Sequence, residues 1–219
     1  PGITTMDVNR YTDELICKAG AIPTEYGYCG FPASICASID DEVVHGIPSE
    51  NVTLMEGSIL SVDVTLALDG WQADRAFTVG VGEISKEARK LIDVTEESFF
   101  KGIEAIEKTP NPRLGDLGYA IQSHAESNGY SVVREFVGHG IGKEMHEDPQ
   151  VPNYGRRGTG TLLKKGMCLA IEPMITQGDR SIVMEKDGWT VRTKDRKFAA
   201  HFEHTVVVTA DGYKILTGE

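Results

Sequence analysis

The sequence predicts an α+β fold whose two halves meet near Gly80. Its elements follow the order helix, strands, two helices, strands, which is typical of α+β proteins rather than of regularly alternating ones. Residues 60–68 alternate apolar and polar side chains, and Asp69-Gly70 then supplies the strongest short signal for a β-hairpin. Residues 85–108 repeat apolar side chains at helical spacing. We expect one domain over residues 1–219.

The first half, about residues 1–80, begins with a short helix. Thr4 or Thr5 can cap it, apolar residues from Val8 to Ile16 follow at helical spacing, and Gly20 ends it. A Gly- and Tyr-rich segment then predicts a loop. The expected elements are a loop at 26–32, strands at 34–39 and 43–44, and a hairpin of 60–68 with 71–79.

The second half, residues 81–219, begins with the long helix 85–108, which Pro110 and Pro112 end. A second helix covers 114–128 and closes at Gly129. Short apolar runs predict strands, and a segment rich in Pro, Gly and Arg predicts a loop. The strands are expected at 132–133, 168–171, 181–184 and 205–209, and the loop at 149–160.

Composition excludes several classes of function. The chain has 22 basic and 33 acidic residues and a net charge of −11, which argues against a nucleic acid or an anionic membrane as its partner. No apolar stretch approaches the ~18 residues of a transmembrane helix, and the first residues do not resemble a signal peptide. The four cysteines lack framework spacing, so we expect free thiols and a cytoplasmic protein.

The hairpin brings two acidic residues together. If Asp69-Gly70 is a two-residue loop, Thr65 pairs with Asp74, and Asp63 lies two residues earlier on the same face. Asp63 and Asp74 are then diagonal neighbours about 7–8 Å apart. Two carboxylates so placed repel each other unless they share a cation. On the hairpin alone, two solvated side chains on the open face of a sheet are the simpler interpretation.

Three more segments favour the cation. His139 stands between Gly138 and Gly140, where we expect a tight turn, and Glu172 and Glu203 each adjoin a strand-like run. One imidazole and four carboxylates suit divalent transition metals with oxygen-rich coordination. Because four carboxylates exceed the need of one dication, we expect two ions.

Five segments together resemble the type I methionine aminopeptidases of metallopeptidase family M24, and the resemblance runs from about residue 2 to residue 216. It implies the pita-bread fold: two halves related by pseudo-two-fold symmetry, with a central antiparallel sheet covered by helices. The segments are Val43–Pro48, Val62–Val64 with Asp74, Gly138–Gly142 with His146, Ile171–Met174 and Phe202–Thr205, and Lys186–Asp195 matches as well.

The resemblance also implies a role for each matched residue. Asp74 and Glu203 would bridge two metal ions, Asp63 would hold one of them, and His139 with Glu172 would hold the other. Glu172 would also act as general base toward the water or hydroxide between the ions, which attacks the first peptide bond. His146 would bind the carbonyl or adjoining amide of that bond, and His45 would contact the peptide beside it. The metal could be Mn, Fe, Co or Zn.

A side-chain pocket for methionine follows from the resemblance as well. Its lining would be Tyr28, Phe31, Cys36, His45 and Trp189, an apolar and polarisable wall suited to a thioether. The aromatic residues could instead be ordinary core residues, and His45 and His146 could be packing or surface histidines.

This sequence departs from the family's commonest pattern at three pocket positions. Phe31 replaces a frequent Tyr, and Met145 replaces an aromatic residue. Glu25 occupies a position that is usually small or apolar, and it would change the pocket unless it points to solvent. Packing or surface roles are assigned to His124, His201 and His204, although His204 could support Glu203.

The resemblance implies that the substrates are the N-termini of nascent polypeptides, met near the ribosome. A monomer is expected.

The family usually carries a further helix before the segment matching Pro1-Gly2, and this sequence lacks it. We expect its addition to raise the melting temperature; an unchanged value would refute this.

Two other functions use the same residues. One is a proline-directed peptidase of the same superfamily, which Met174 after Pro173 disfavours. The other is a binding protein that has lost catalysis, which the presence of all five ligands disfavours. The type II branch of the family carries an extra insert. Only 25 residues separate His146 from Glu172 in this chain, which leaves no room for that insert and disfavours the type II branch.

Overall fold

A computed structural model describes residues 1–218, in which helices and strands are segregated along the chain as predicted. The helices are α1 (Thr5–Lys18), α2 (Lys86–Lys108) and α3 (Leu114–Ser127), with a short 3-10 turn at Tyr28–Gly30. The strands are β1 (Ile22–Pro23), β2 (Cys36–Ile39), β3 (Glu42–Val44), β4 (Ile59–Leu68), β5 (Trp71–Gly80), β6 (Ser131–Val132), β7 (Gly138–Gly140), β8 (Glu147–Val151), β9 (Cys168–Ile171), β10 (Met174–Thr176), β11 (Ile182–Met184), β12 (Val191–Thr193), β13 (Ala199–His201), β14 (His204–Val208) and β15 (Tyr213–Ile215).

The helices begin where side chains can satisfy their free N–H groups. The hydroxyl of Thr4 accepts a hydrogen bond from the N–H of Asp7 (3.1 Å), and the Asp7 carboxylate accepts one from the N–H of Thr4 (2.8 Å). This reciprocal capping box starts α1. Ser85 caps α2 by accepting from the N–H of Ala88 (3.0 Å). The Thr4 cap was predicted, and so was the start of α2 near residue 85, but the apolar face expected for α1 is partly exposed, as at Tyr11.

The β4–β5 hairpin has the predicted register. Thr65 lies opposite Asp74, and Asp69 and Gly70 both have positive φ angles, of 52° and 79°, as a type I′ turn requires. β4 is the centre of a four-stranded sheet in which β5 pairs along one edge and β1 and β2 pair along the other. Asp63 and Asp74 therefore lie on the same face of one sheet.

The second half forms a five-stranded sheet and contributes to two three-stranded ones. The orders are β15-β14-β9-β7-β8, β13-β10-β6 and β11-β12-β3. α2 and α3 pack against the five-stranded sheet through buried residues such as Phe99, Ile103 and Leu117, which are fully inaccessible to solvent, and they also pack against the sheet β13-β10-β6. This burial supplies most of the stabilisation of the fold.

Hydrogen bonds join β5 of the first half to the strands of the second. The N–H of Glu203 donates to the carbonyl of Ala76 (2.8 Å). The hydroxyl of Thr205 accepts from the N–H of Asp74 (2.9 Å) and donates to its carbonyl (2.9 Å). Thr78 makes the same pair of contacts with the backbone of His201. The carboxylate of Asp74 on β5 is thereby brought beside Glu203 of the second half.

Two sequence predictions were wrong in their local structure. The turn expected around His139 is the strand β7, which pairs with β8 and β9. Its glycines are needed for close packing, because a Cβ at Gly138 or Gly140 would overlap the carbonyl oxygen of Ala170 or Asp148. The loop expected at 149–160 begins only after β8, because pairing with β7 holds its first residues extended.

Several short strands were not predicted at all. They are β1, β7, β8, β10, β12, β13 and β15. Most contain only two or three residues, too few to show an alternating pattern, so neighbouring strands decide their conformation.

Two further expectations concern the whole chain. Across residues 1–218, no helix combines the length and the apolar composition that a membrane span requires. The four cysteines, all within this described part, form no disulfide, as expected.

Candidate active site

A cavity of about 140 Å³ lies where the four-stranded sheet meets the strands of the second half. Its walls contain all five predicted metal ligands. They also contain every other predicted site residue except Cys36, which packs behind Phe31. The lining residues are Glu25, Tyr28, Phe31, His45, Asp63, Asp74, His139, Met145, His146, Glu172, Trp189 and Glu203.

Strands position the five candidate ligands. Asp63 projects from β4 and Asp74 from β5, while His139 is the middle residue of β7. Glu172 directly follows β9, and Glu203 lies in the short connection between β13 and β14. Because three of the side chains project from paired strands and the other two directly adjoin strands, the set is held in place rather than carried on mobile loops.

The imidazole of His139 is oriented to act as a ligand. Its Nδ1 donates to the carbonyl of Gly140 (2.9 Å), so Nε2 presents a lone pair. That nitrogen lies 3.6 Å from Oδ2 of Asp74 and 3.6 Å from Oε1 of Glu172. Burial lowers the pKa of His139, but these carboxylates outweigh burial and raise it. A lone pair facing two carboxylates is a favourable arrangement once a cation lies between them.

Several carboxylate oxygens are buried without a partner. They are Oδ1 of Asp63, Oδ1 of Asp74 and Oε1 of Glu203. Burial, and then the neighbouring carboxylates, raise the pKa of Asp63 and Glu203 well above its usual range. Burial likewise raises the pKa of Glu172 to about 8. Unpaired buried acids are costly, and the oxygen-rich donor set fits divalent cations.

The donor atoms form two neighbouring groups. One atom each from Asp74, His139 and Glu203 lie within 4.8 Å of one another, and so do one atom each from Glu25, Cys36 and Asp63. Glu25 therefore points into the cavity and not to solvent. Its Oε1 accepts from the hydroxyl of Thr65 (3.0 Å), and burial raises the pKa of Glu25 to about 7.

His146 lies at the mouth of the cavity against His139, with ring centroids 4.2 Å apart. Its Nδ1 is 2.8 Å from the hydroxyl of Tyr28. Burial and the neighbouring His139 lower the pKa of His146, so its ring is neutral near pH 7. The phenol is the natural donor to a neutral imidazole, which leaves the Nε2 of His146 with the hydrogen. Tyr28 thus contacts His146 as well as lining the cavity.

His45 also lines the cavity, in a strained conformation. Its φ of 58° lies in the left-handed region, which costs of order 1–3 kcal/mol for a residue with a side chain. The ring packs edge-on against Phe136 and Trp189. Burial lowers the pKa of His45 to about 4. The packing against Phe136 and Trp189 holds the neutral imidazole at the cavity wall in spite of this strain.

The predicted methionine pocket is only partly apolar. Phe31 is 1% exposed and packs edge-on against Trp189, and Met145 is buried beside them. Glu25 adds a carboxyl group, with Oε2 4.0 Å from the sulfur of Cys36. The position that departs most from the family pattern therefore adds a polar group to the pocket.

Of the three histidines assigned packing or surface roles, His201 lies in the site. It is 2% exposed, and its Nε2 is 3.7 Å from Glu172 and 3.9 Å from Glu203. His201 precedes Glu203 by two residues, and a period-2 pattern of polar residues would have indicated the shared face. His124 bonds to Glu97 at the surface. His204 bonds to Thr217 instead of supporting Glu203.

Comparison with known proteins agrees with this geometry. The model of metallopeptidase family M24 matches residues 1–210. The chain is 54% identical over 217 residues to the methionine aminopeptidase of Clostridium acetobutylicum, covering 99% of this chain and 86% of that relative. The crystal structure of methionine aminopeptidase from Rickettsia prowazekii has a TM-score of 0.96 at 46% identity, covering 100% of this chain and 87% of that one.

A more distant structure shares only the fold. Prolidase from Pyrococcus furiosus has a TM-score of 0.71 at 20% identity, covering 100% of this chain and 56% of that one. The predicted pita-bread fold is confirmed, and the much higher identity to methionine aminopeptidases disfavours the proline-directed alternative. The chain therefore belongs to metallopeptidase family M24, and within it to the methionine aminopeptidases.

Proposed function

We propose that this protein removes the N-terminal methionine from peptides and nascent proteins. The observation that carries the proposal is the convergence of one imidazole and four carboxylates on a single cavity, with buried oxygens of Asp63, Asp74 and Glu203 lacking any partner. The identity of about half the residues to a methionine aminopeptidase over nearly the whole chain supports the same activity.

The family's chemistry requires divalent metal, and the donor set suits two ions. We propose that Asp74 and Glu203 would hold both ions, Asp63 one of them, and His139 with Glu172 the other. Mn, Fe, Co and Zn all fit such a set. Bound there, the ions would lower the pKa of a water molecule and polarise the carbonyl of the first peptide bond.

The chain's own residues then orient the substrate and move protons. Glu172 accepts a proton from the attacking water, because its carboxylate lies beside the imidazole of His139 at the ion site. His146, oriented by Tyr28, donates from Nε2 to the carbonyl oxygen on which charge develops. His45 contacts the peptide on the other side of the cavity.

The cavity also defines the substrate. Phe31 and Trp189 supply an apolar wall beside the ligand cluster, with Cys36 packed behind Phe31, and a methionine side chain fits such a wall. We propose a single catalytic domain with halves at about 1–80 and 81–219. We further propose a cytoplasmic monomer that acts on nascent chains near the ribosome.

A chelator and one substitution test the proposal together. Hydrolysis of a Met-Ala-Ser peptide is measured with and without chelator, and again on Asp74→Asn. The substitution replaces a buried bridging carboxylate by an amide, so we expect a loss of at least 100-fold, in the range found when ligands or their partners are removed. Full activity in the chelated protein or in Asp74→Asn would overturn the metal mechanism.

A matched control comes from the same hairpin. Asp69→Asn makes the same chemical change in the exposed turn, where Asn tolerates the left-handed backbone. We expect this variant to keep wild-type activity. Loss of activity in both variants would show that the hairpin, and not the carboxylate at position 74, is being tested.

A further inference from the structure

His201 is a buried histidine without a defined partner, at the end of β13. Its side chain is 2% exposed, and its Nε2 makes no hydrogen bond. A buried ring nitrogen left in this state costs about 1–3 kcal/mol. Such an atom beside a functional cavity requires an explanation.

The surroundings of this nitrogen are acidic. Oε2 of Glu172 lies 3.7 Å away and Oε2 of Glu203 lies 3.9 Å away, both beyond hydrogen-bond range. A lone pair on Nε2 would face two carboxylates, whereas a hydrogen on Nε2 would face two acceptors. The surroundings therefore favour the tautomer that carries its hydrogen on Nε2.

The two oxygens of Glu172 face different imidazoles. Oε1 lies 3.6 Å from Nε2 of His139, which presents a lone pair. Oε2 faces Nε2 of His201. The carboxylate is thus placed between an imidazole that can share a cation with it and one that can donate a hydrogen bond to it. Glu203 is the more distant acceptor of the two.

The backbone of His201 is fixed more firmly than that of an ordinary strand end. The hydroxyl of Thr78 donates to its carbonyl (2.8 Å) and accepts from its N–H (2.9 Å). Thr78 itself lies 2.7 Å from the hydroxyl of Ser61 on β4. The ring is therefore attached to the hairpin that carries two of the candidate ligands, and it can serve as a fixed point for a longer side chain such as Glu172.

We propose that His201 is a positioning residue, whose Nε2–H holds Oε2 of Glu172 so that Oε1 is directed at the ion that His139 faces. This inference rests on the proposed function, since it concerns the residue assigned both as ligand and as general base. Glu172 has three rotatable side-chain bonds, and a small rotation closes the 3.7 Å gap. Carboxylates that bind metal are commonly held in this way through their second oxygen.

Three substitutions at position 201 separate the possible roles. In His201→Gln the amide nitrogen stands the same number of bonds from Cα as Nε2 of histidine, so the donor is retained. In His201→Asn the same amide stands one bond closer, near the position of Nδ1, and cannot reach Glu172. His201→Ala removes the donor altogether. Asn is thus the matched control for Gln.

Two readouts are taken on each variant. One is the affinity of the metal-free protein for Co²⁺ or Mn²⁺ by titration calorimetry, with the visible absorption of the Co²⁺ form. The other is kcat and KM for a Met-Ala-Ser peptide. We expect Ala and Asn to weaken metal binding and lower kcat by about 10–100-fold with little change in KM. Gln should restore both values and leave the Co²⁺ absorption unchanged.

Two results would overturn the inference. Wild-type metal affinity and kcat in all three variants would make His201 a packing residue. A Gln variant as poor as Ala, with an altered Co²⁺ absorption, would make His201 a metal ligand instead. Thermal unfolding of each metal-free variant identifies any that fails to fold. If the wild-type protein lacked peptidase activity, the proposed function would fail, and the metal affinities alone would still decide the role of His201.

Discussion

The hydroxyl of Thr205 holds the backbone of Asp74, and its removal should loosen the site and the fold together. Thr205 is 1% exposed, accepts from the N–H of Asp74 and donates to its carbonyl, both at 2.9 Å. Thr205→Val keeps the volume of the side chain and removes both hydrogen bonds. The effect is therefore electrostatic and does not come from a cavity.

The register of the hairpin sets the magnitude. The pair flanking a two-residue loop is hydrogen-bonded, and alternate pairs along the ladder are not. Counting from Leu68 and Trp71, the pair of Thr65 and Asp74 is not hydrogen-bonded. The N–H and C=O of Asp74 therefore face away from β4 and would lose their partner. Two lost hydrogen bonds and two buried unsatisfied groups cost about 2–4 kcal/mol.

Urea unfolding of the metal-free protein measures this loss, and a thermal melt should fall by about 5–15 °C. Metal affinity, measured by calorimetry, should fall as well, because Asp74 is no longer fixed. Thr205→Ser is the control: it keeps the hydroxyl and loses only one methyl group, which costs about 1 kcal/mol. If the Val variant were as stable as the Ser variant, the hydroxyl would not carry the contact between β5 and β14.

Two further perturbations test the electrostatics of the cavity. Burial is the main cause that raises the pKa of Glu172 from 4.5 to about 8, so the metal-free protein holds a proton there at pH 7 and should release it on binding metal. Calorimetry in buffers of different ionisation enthalpy measures the number of protons released. A binding enthalpy that does not depend on the buffer would contradict the prediction. Because the folded pKa lies above the unfolded one, the metal-free protein should also lose stability as the pH rises from about 5 to 8, and bound metal should remove that loss. Tyr28→Phe removes the hydrogen bond that orients His146, so kcat/KM should fall about tenfold with metal affinity unchanged. A variant with the wild-type kcat/KM would show that Tyr28 only lines the cavity.

Local sequence was sufficient for the parts of the fold that local interactions determine. Thr4 and Ser85 mark helix starts because each accepts a hydrogen bond from an N–H in the first turn. Asp69-Gly70 sets the register of a hairpin of two ten-residue strands, because two successive positive φ angles fit the twist of the strands. The juxtaposition of Asp63 and Asp74 follows from that turn.

Local sequence patterns did not predict the placement of several other residues of the site. His139 was expected in a turn, but its glycines permit strands on both sides to approach closely. His201 was assigned to packing because its partners, Thr78 and Glu172, are distant in sequence. The sequence showed that Glu25 departs from the family pattern but not where its side chain points. The hydrogen bond from the hydroxyl of Thr65 holds that side chain in the cavity.

By itself the sequence determined which residues could bind a metal, the order of the elements, and the face on which two of the acids lie. The tertiary structure decided which distant groups meet: Glu203 against Asp74 and Tyr28 against His146 across the two halves, and His201 against Glu172 within the second half. Such contacts join residues more than a hundred positions apart in several cases, and their formation depends on the packing of whole sheets, which no local pattern encodes.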